Sequence, residues 1–157
     1  MADYSFVTRW FIDAPIERVF SAIEDAPRWP SWWKAVVAVE VVESGDADGI
    51  GAVARTTWRT ALGYRLRFDA RLIGRTSPER LEVESAGELL GHGRWELSRE
   101  AGGTLVVYFW DVTTTPRWMN VLAPVMRPAF QWNHAVVMRR GGESLARLLA
   151  ARFEDRS

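Results

Sequence analysis

Cysteine is absent from the sequence, and its 157 residues include only two histidines, His92 and His134. The lack of cysteine excludes disulfide bonds, thiolate metal sites and cysteine nucleophiles. Two histidines are too few for a multi-histidine metal site, so we predict that no metal is bound. There is also no serine–histidine–aspartate pattern, phosphate-binding loop or dinucleotide-binding loop. We therefore predict no cofactor.

Net charge and long apolar runs are lacking too. Twenty acidic and 20 basic residues give a formal net charge of zero at pH 7, so the whole chain has no field to attract nucleic acid or an acidic membrane. No run approaches the roughly 18 apolar residues that span a bilayer, and residues 1–5 do not resemble the start of a signal peptide. We expect a cytoplasmic protein without nucleic-acid partners or stable membrane insertion. Because a neutral surface gives little repulsion between copies, we expect a monomer or a weak homodimer.

Aromatic residues, in contrast, are abundant. Nine tryptophans occur in a chain that is 48% hydrophobic and 25% charged, a composition typical of a globular protein. With no linker or repeat, we predict a single domain over residues 1–157. Indoles need apolar walls and a partner for the N–H group, so many tryptophans suit a protein that encloses a ring-containing guest. A solid aromatic core is the alternative.

Hydrophobic periodicity predicts one strand, two short helices and then six more strands. The first strand is Tyr4–Ile12, and Asp13 and Asp25 are expected to cap the two helices. The further strands are predicted at Val36–Glu43, Ile50–Thr57, Tyr64–Gly74, Arg80–Ser85, Leu89–Leu97 and Thr104–Thr114. Their short connections predict an antiparallel meander.

After Pro116 the spacing of apolar residues becomes helical. The pattern predicts a helix over residues 118–123 and a longer one over 128–152, with a kink or restart at Pro124 and Pro128. A pair of glycines, Gly141 and Gly142, interrupts the longer helix. Such a pair favours close packing there, and a flexible gate is the alternative.

Five segments carry a resemblance to a known family. They are Ile12–Phe20 (IDAPIERVF), Asp25–Trp33 (DAPRWPSWW), Gly91–Leu97 (GHGRWEL), Gly103–Trp110 (GTLVVYFW) and Phe130–Met138 (FQWNHAVVM). In these segments and in the order of its elements, the chain resembles the START-like (SRPBCC) superfamily, especially its bacterial polyketide cyclase/dehydrase and lipid-transport group. The resemblance implies an α+β helix-grip fold, in which a curved seven-stranded antiparallel sheet wraps around a long C-terminal helix. It also implies a cavity between the sheet and that helix.

The alternation of residues, placed on that fold, predicts which side chains line the cavity. Those expected to contact a ligand are Trp10, Leu66, Phe68, Trp95 and Trp110 on the strands and Met126, Phe130, Asn133 and Val137 on the helix. Three further residues could do chemistry. Burial would keep the imidazole of His134 neutral, able to act as a general base or to form a hydrogen bond. Tyr64 and Tyr108 could protonate an enolate or bind a ligand oxygen, and purely structural roles for all three are the alternative.

Three functions fit these features. The first is binding of a hydrophobic, aromatic or polyketide- or lipid-like small molecule. The second is a polyketide cyclase/aromatase or dehydratase, with His134 as base and Tyr64 or Tyr108 as acid. The third is a non-catalytic interaction module, because Trp118, Val121, Val125, Trp132 and Val136 would form a second apolar stripe if the helix continues through Pro128.

Overall fold

An antiparallel sheet of eight strands and one long helix dominate the computed structural model, which describes residues 2–157. In chain order the elements are β1 (Ala2–Ile12), α1 (Ile16–Glu24), a 3-10 turn (Ala26–Arg28), α2 (Trp29–Trp32), β2 (Val36–Glu43), β3 (Val53–Arg59), β4 (Arg65–Thr76), β5 (Arg80–Gly87), β6 (Leu89–Glu100), β7 (Gly103–Thr114), α3 (Arg117–Leu148) and β8 (Phe153–Asp155). The strands lie in the order β2-β3-β4-β5-β6-β7-β1-β8, and every neighbouring pair is antiparallel. The predicted α+β class and meander are confirmed.

The eighth strand was not predicted. The helix expected to reach residue 152 ends at Leu148, because Ala150 turns left-handed with φ of 51° and the N–H of Ala151 donates to the carbonyl of Ala146 at 2.8 Å. Glycine usually occupies such a turn, and the alanine hid the helix end from sequence analysis. The chain then doubles back, and Phe153–Asp155 pairs with the end of β1.

Two predicted caps and one predicted restart are wrong. α1 begins at Ile16 with Pro15 at its N-cap position, so Asp13 does not cap it. The backbone N–H of Asp13 donates to the carbonyl of Arg152 at 2.9 Å. Asp25 occupies the N-cap position of the 3-10 turn, but its side chain forms no capping hydrogen bond. α3 runs without interruption through Pro124 and Pro128. Both prolines are exposed, so water can solvate the carbonyls that lose a helical donor.

The core divides into two clusters at opposite ends of α3. The larger cluster packs α1, the end of β1 and the last turns of α3 together, and its buried members include Trp10, Phe20, Trp33, Trp95, Met138 and Leu145. The smaller cluster joins the start of β1 to the first turns of α3 and includes Tyr4, Leu89, Met119 and Phe130. None of the helices in residues 2–157 combines the length and apolar character needed to cross a bilayer.

Close packing at two glycines fixes how α3 sits on the larger cluster. A Cβ at Gly141 would overlap the indole of Trp33, and one at Gly142 would lie 2.8 Å from Cε2 of Trp10. The indole N–H of Trp33 donates to the carbonyl of Val137 at 3.2 Å, one turn before Gly141. The glycine pair therefore serves packing, the first of the two roles considered for it.

Candidate functional site

A cavity of about 470 Å³ lies between the sheet and α3. Its walls come from the end of β2 and the turn after it, from β3 to β7, from the segment that holds α1 and α2, and from the middle of α3. Most of the lining is apolar, and the volume is within the usual range of small-molecule sites. The cavity opens to solvent at one end, where its lining residues Glu24, Ser44, Asp48 and Arg75 are exposed.

Six aromatic side chains in the cavity wall form a closed series of neighbours, which we call the aromatic circuit. In order they are Trp29, Trp95, Tyr108, Trp110, Phe68 and Trp58, and the last returns to the first. Consecutive ring centroids lie 6.4, 4.0, 5.8, 5.5, 6.2 and 6.1 Å apart. Five of these six spacings fall within the range of about 4.5–7 Å for favourable ring–ring contacts, and the rings of Trp95 and Tyr108 stack more closely. A guest in the cavity would meet the rings of the circuit.

Eight of the residues singled out from the sequence line the cavity. They are Leu66, Phe68, Trp95, Tyr108, Trp110, Asn133, His134 and Val137. Their roles toward a ligand remain predictions. For the strand residues the agreement in position has a simple cause: successive side chains of a strand point to opposite faces, so one residue placed inward fixes its neighbours two positions away.

Trp10, by contrast, lies behind the wall. Only 1% of its surface is exposed, and its ring packs 6.3 Å from that of Trp33 and 5.6 Å from that of Trp95. Its inward orientation follows from the alternation of β1, but the glycine at position 142 lets the indole rest on the helix. The expectation that Trp10 lines the cavity is therefore wrong.

Tyr64, Met126 and Phe130 also lie outside the lining. The ring of Tyr64 makes edge contacts with Trp118 at 4.9 Å and Phe130 at 6.1 Å, and together these rings close the end of the fold near the start of α3. Burial in this cluster, with a smaller effect from Tyr4, raises the pKa of Tyr64 to about 12. Met126 packs in the same cluster. Tyr64 is therefore not placed to act as the acid inside the cavity.

Sequence analysis missed three indoles of the wall. Trp29 and Trp33 were not among the residues predicted for the wall, yet Trp29 at the start of α2 and Trp33 just after its end both line the cavity. Trp58 lies one residue beyond the predicted strand end at Thr57, whereas β3 runs to Arg59. The side chain of Asp46 accepts hydrogen bonds from the N–H groups of Asp48 and Ile50 and stabilises the turn before β3. The strand therefore begins at Val53 and not at Ile50.

An ion pair crosses the open end of the cavity. The guanidinium of Arg75 on β4 donates to both carboxylate oxygens of Glu24 on α1, at 2.8 and 3.3 Å. The same guanidinium lies 5.7 Å from the ring centre of Phe20. The carboxylate of Glu24, and secondarily that of Asp48, raises the pKa of Arg75. These charges mark the entrance, where solvent reaches them.

Polar groups deeper in the cavity come from α3 and β7. The imidazole of His134 stacks on Phe6 with ring centres 3.8 Å apart, and its Nε2 has no hydrogen-bond partner within residues 2–157. Burial lowers the pKa of His134 to about 3, so the ring is neutral at pH 7. Asn133 accepts a hydrogen bond from the N–H of Ala61 at 2.6 Å, which leaves its amide nitrogen as a donor. Burial raises the pKa of Tyr108, so its hydroxyl is also a donor.

This set of side chains favours some chemistry over other kinds. It offers two neutral donors and one neutral imidazole against apolar walls, which suits an uncharged guest with a few oxygen atoms. No group of three or more His, Asp or Glu residues in the described part of the chain is arranged to hold a metal ion.

Comparisons with known proteins agree with this geometry. The family model described as polyketide cyclase/dehydrase and lipid transport matches residues 4–150. Among solved structures, the Zhui aromatase/cyclase from Streptomyces sp. R1128 superposes with a TM-score of 0.75 at 15% identity, covering 92% of each chain. A START superfamily protein from Mycobacterium smegmatis gives a TM-score of 0.70 at 14% identity, covering 92% of this chain and 94% of that one. A search of curated protein sequences finds no match.

Larger proteins share the fold as well. The di-domain ARO/CYC BexL from the BE-7585A biosynthetic pathway gives a TM-score of 0.70 at 20% identity, over 92% of this chain and 48% of that one. The chain thus spans about half the length of BexL, and 52% of the di-domain ARO/CYC StfQ. At such identities the likeness establishes the fold, and the predicted helix-grip architecture is confirmed with eight strands instead of seven. Because the matching family model covers nearly the whole sequence, the chain belongs to the polyketide cyclase/dehydrase and lipid-transport family.

Proposed function

We propose that the protein binds an apolar, ring-containing small molecule with one or more oxygen atoms in the cavity. The aromatic circuit supplies most of the contact surface. Burying roughly 300 Å² of apolar guest surface stabilises the complex by about 7 kcal/mol before association costs. Since those costs amount to several kcal/mol, ring contacts alone would leave an affinity between about millimolar and micromolar.

The observation that carries the proposal is His134, which lines this apolar cavity and whose buried Nε2 has no hydrogen-bond partner within residues 2–157. Buried polar atoms in native proteins nearly always have a hydrogen-bond partner. A hydroxyl or carbonyl group on the guest would supply one, with Asn133 and Tyr108 as further donors. Each such hydrogen bond contributes about 1 kcal/mol net, or several-fold in affinity.

Calorimetric titration with two probes tests this proposal. Naphthalene measures ring binding alone, whereas 2-naphthol adds one hydroxyl. We expect 2-naphthol to bind several-fold more tightly, and His134→Phe to remove that difference while leaving naphthalene binding in place.

A cavity-filling variant locates the binding. Ala70 lines the cavity, whereas Ala86 is exposed on β5. Ala70→Phe is expected to abolish binding of both probes, and Ala86→Phe to preserve it. The proposal would be contradicted if neither probe gave heat of binding and native mass spectrometry of the purified protein detected no retained small molecule.

A second candidate is catalysis of ring closure or dehydration, favoured by the same free Nε2 and by the likeness to the Zhui aromatase/cyclase. In an aldol closure His134 would take a proton from a carbon beside one carbonyl. That carbon would then bond to a second carbonyl carbon, and the resulting alkoxide would take a proton from Tyr108. A base with a pKa near 3 is far below the optimum for proton transfer at neutral pH. Binding is therefore the first proposal.

Formation of 3-methylcyclohex-2-enone and water from 2,6-heptanedione, followed by NMR, tests the second candidate. We expect His134→Ala to lose the rate above buffer and His92→Ala to keep it. A wild-type rate equal to that of buffer removes the catalytic candidate for this substrate type and leaves the binding proposal intact.

A further inference from the structure

The outward face of α3 presents a stripe of large apolar side chains to solvent. Its members, which we call the α3 outer stripe, are Trp118, Val121, Leu122, Val125 and Trp132, with 44, 76, 44, 80 and 55% of their surfaces exposed. They recur at helical spacing and so lie along one face. The sequence predicted such a stripe for a continuous helix, although Val136, its expected last member, is half-buried. Contiguous exposed apolar surface of this kind marks an interaction site.

Within segment 112–142 the charged side chains are all basic. No aspartate or glutamate occurs between Asp111 and Glu143. Exposed arginines flank the stripe, Arg117 at one end and Arg139 with Arg140 at the other. Arg139 pairs with Glu143 at 3.1 Å. The zero net charge of the whole chain therefore conceals a local excess of arginine along this segment.

Charge decides between two occupants of the stripe. A second copy would bring arginine against arginine, with no acidic residue in segment 112–142 of either copy to neutralise them. An anionic bilayer instead offers phosphate groups to the arginines, an apolar layer to the valines and leucine, and an interface in which tryptophan is favoured. We propose that the α3 outer stripe docks the protein on the surface of an anionic bilayer, without insertion across it.

A neighbouring turn extends the proposed docking surface. Leu62, at the tip of the turn between β3 and β4, is 40% exposed. The ring of Tyr64, two residues later, makes an edge contact with that of Trp118, with ring centroids 4.9 Å apart. This contact joins the turn to the α3 outer stripe. The N–H of Ala61 in the same turn donates to Asn133, a residue of the cavity wall. The docking surface thus lies beside one end of the cavity, but docking itself does not depend on what the cavity binds.

Co-sedimentation with vesicles tests the proposal. The full chain is mixed with vesicles of phosphatidylcholine alone, or of phosphatidylcholine and phosphatidylglycerol in equal amounts. We expect binding to the anionic vesicles that weakens as salt increases. Val125→Asp places a charge at the most exposed valine of the stripe and is expected to weaken binding roughly tenfold or more.

Two control variants separate the possible outcomes. Val7→Asp makes the same change at a valine that is 41% exposed on β1 and should bind as the wild type does. Ala70→Phe should also bind, whatever becomes of the cavity ligand. The proposal is overturned if anionic vesicles do not bind, or if Val125→Asp binds them as well as Val7→Asp does. A concentration-dependent dimer that Val125→Asp disperses, without vesicle binding, would assign the stripe to a second copy and would likewise overturn it.

Discussion

His134 is neutral because its surroundings are apolar, not because a partner holds its proton. Phe6 covers one face of the ring, the cavity adjoins it, and burial alone accounts for its lowered pKa. A histidine that cannot take up a proton in the folded state links folding to pH. The buried imidazole therefore has a consequence for stability that does not require a ligand.

Acidification should destabilise the protein through His134. The unfolded chain takes up this proton near pH 6.5, whereas the folded chain does so only near pH 3. The contribution of His134 to stability is thus complete above about pH 6.5 and is lost as pH falls, by about 1.4 kcal/mol per pH unit within that window. Urea unfolding at several pH values between about 7 and 4 measures this slope.

His134→Gln should flatten the pH dependence of the free energy of unfolding. His92→Gln is the matched control, because the side chain of His92 is 39% exposed, 3.6 Å from Glu82 on the sheet surface. Equal slopes in the wild type and His134→Gln would show that His134 can be protonated while the protein remains folded.

At the scale of elements, the last turns of α3 depend on two small residues. Glycine weakens an isolated helix by about 1 kcal/mol relative to alanine. At Gly141, however, a methyl group would overlap Trp33, and Trp33 also donates to the helix carbonyl of Val137. Packing and helix propensity therefore oppose each other at this position.

Gly141→Ala should reduce the free energy of unfolding by about 1–3 kcal/mol, because overpacking outweighs the gain in propensity. Urea unfolding measures the change. Ser144→Ala, one turn along the same helix, is the control and should have little effect. A Gly141→Ala protein more stable than the wild type would mean that Trp33 does not pack closely enough against Gly141 to exclude a methyl group.

Ala150→Gly should have the opposite effect. Ala150 adopts φ of 51°, a conformation that costs an L-residue about 1–2 kcal/mol and glycine almost nothing. After allowing for the greater freedom of glycine in the unfolded chain, we expect a gain of about 0.5–1 kcal/mol in thermal or urea unfolding. Ala151→Gly, the neighbouring control, should not be stabilising.

The strands show where the sequence was informative. Strand alternation predicted β2 with the same ends, Val36–Glu43, that the structure has, and it placed Leu66 and Phe68 on the cavity wall. Alternation could not distinguish Trp10 from Trp95, because both side chains point inward. The glycine at position 142 leaves room for Trp10 to pack against α3. Nor could the sequence pattern find β8, because an alanine occupies the turn where a glycine would have marked the end of α3.

The cavity could be predicted only in part for a related reason. Residues on regular strands were found, whereas Trp29, Trp33 and Trp58 came from short or misplaced elements. A wall that combines a helix of four residues, a strand end and a long helix depends on tertiary contacts that leave no periodic pattern. Local spacing therefore predicted the antiparallel meander and one side of the site, whereas the helix-grip fold followed from the family resemblance.

On the scale of the whole molecule, the two edges of the sheet differ. β8 closes one edge with three residues, whereas β2 leaves eight residues along the other. Val37, Val41 and Val42 on β2 are exposed, and a bare apolar edge can template pairing with another chain. A formal net charge of zero at pH 7 adds little repulsion against such contacts.

Val42→Lys should slow heat-induced aggregation at pH 7, because a lysine on an edge strand hinders strand pairing. Light scattering during a temperature ramp measures the onset. Leu90→Lys adds the same charge on β6, an inner strand of the sheet, at a residue that is 39% exposed, and should protect less. Equal protection by the two variants would attribute the effect to net charge alone.

α3 separates two environments within the width of one helix. Trp132 points to the outside, and Asn133 and His134, the next two residues, face the cavity. If docking of the α3 outer stripe on a bilayer changes the affinity of the cavity for its ligand, thermodynamic reciprocity requires ligand binding to change the affinity for the bilayer by the same factor. Ligand binding in the cavity and docking through the α3 outer stripe would then share a single coupling energy.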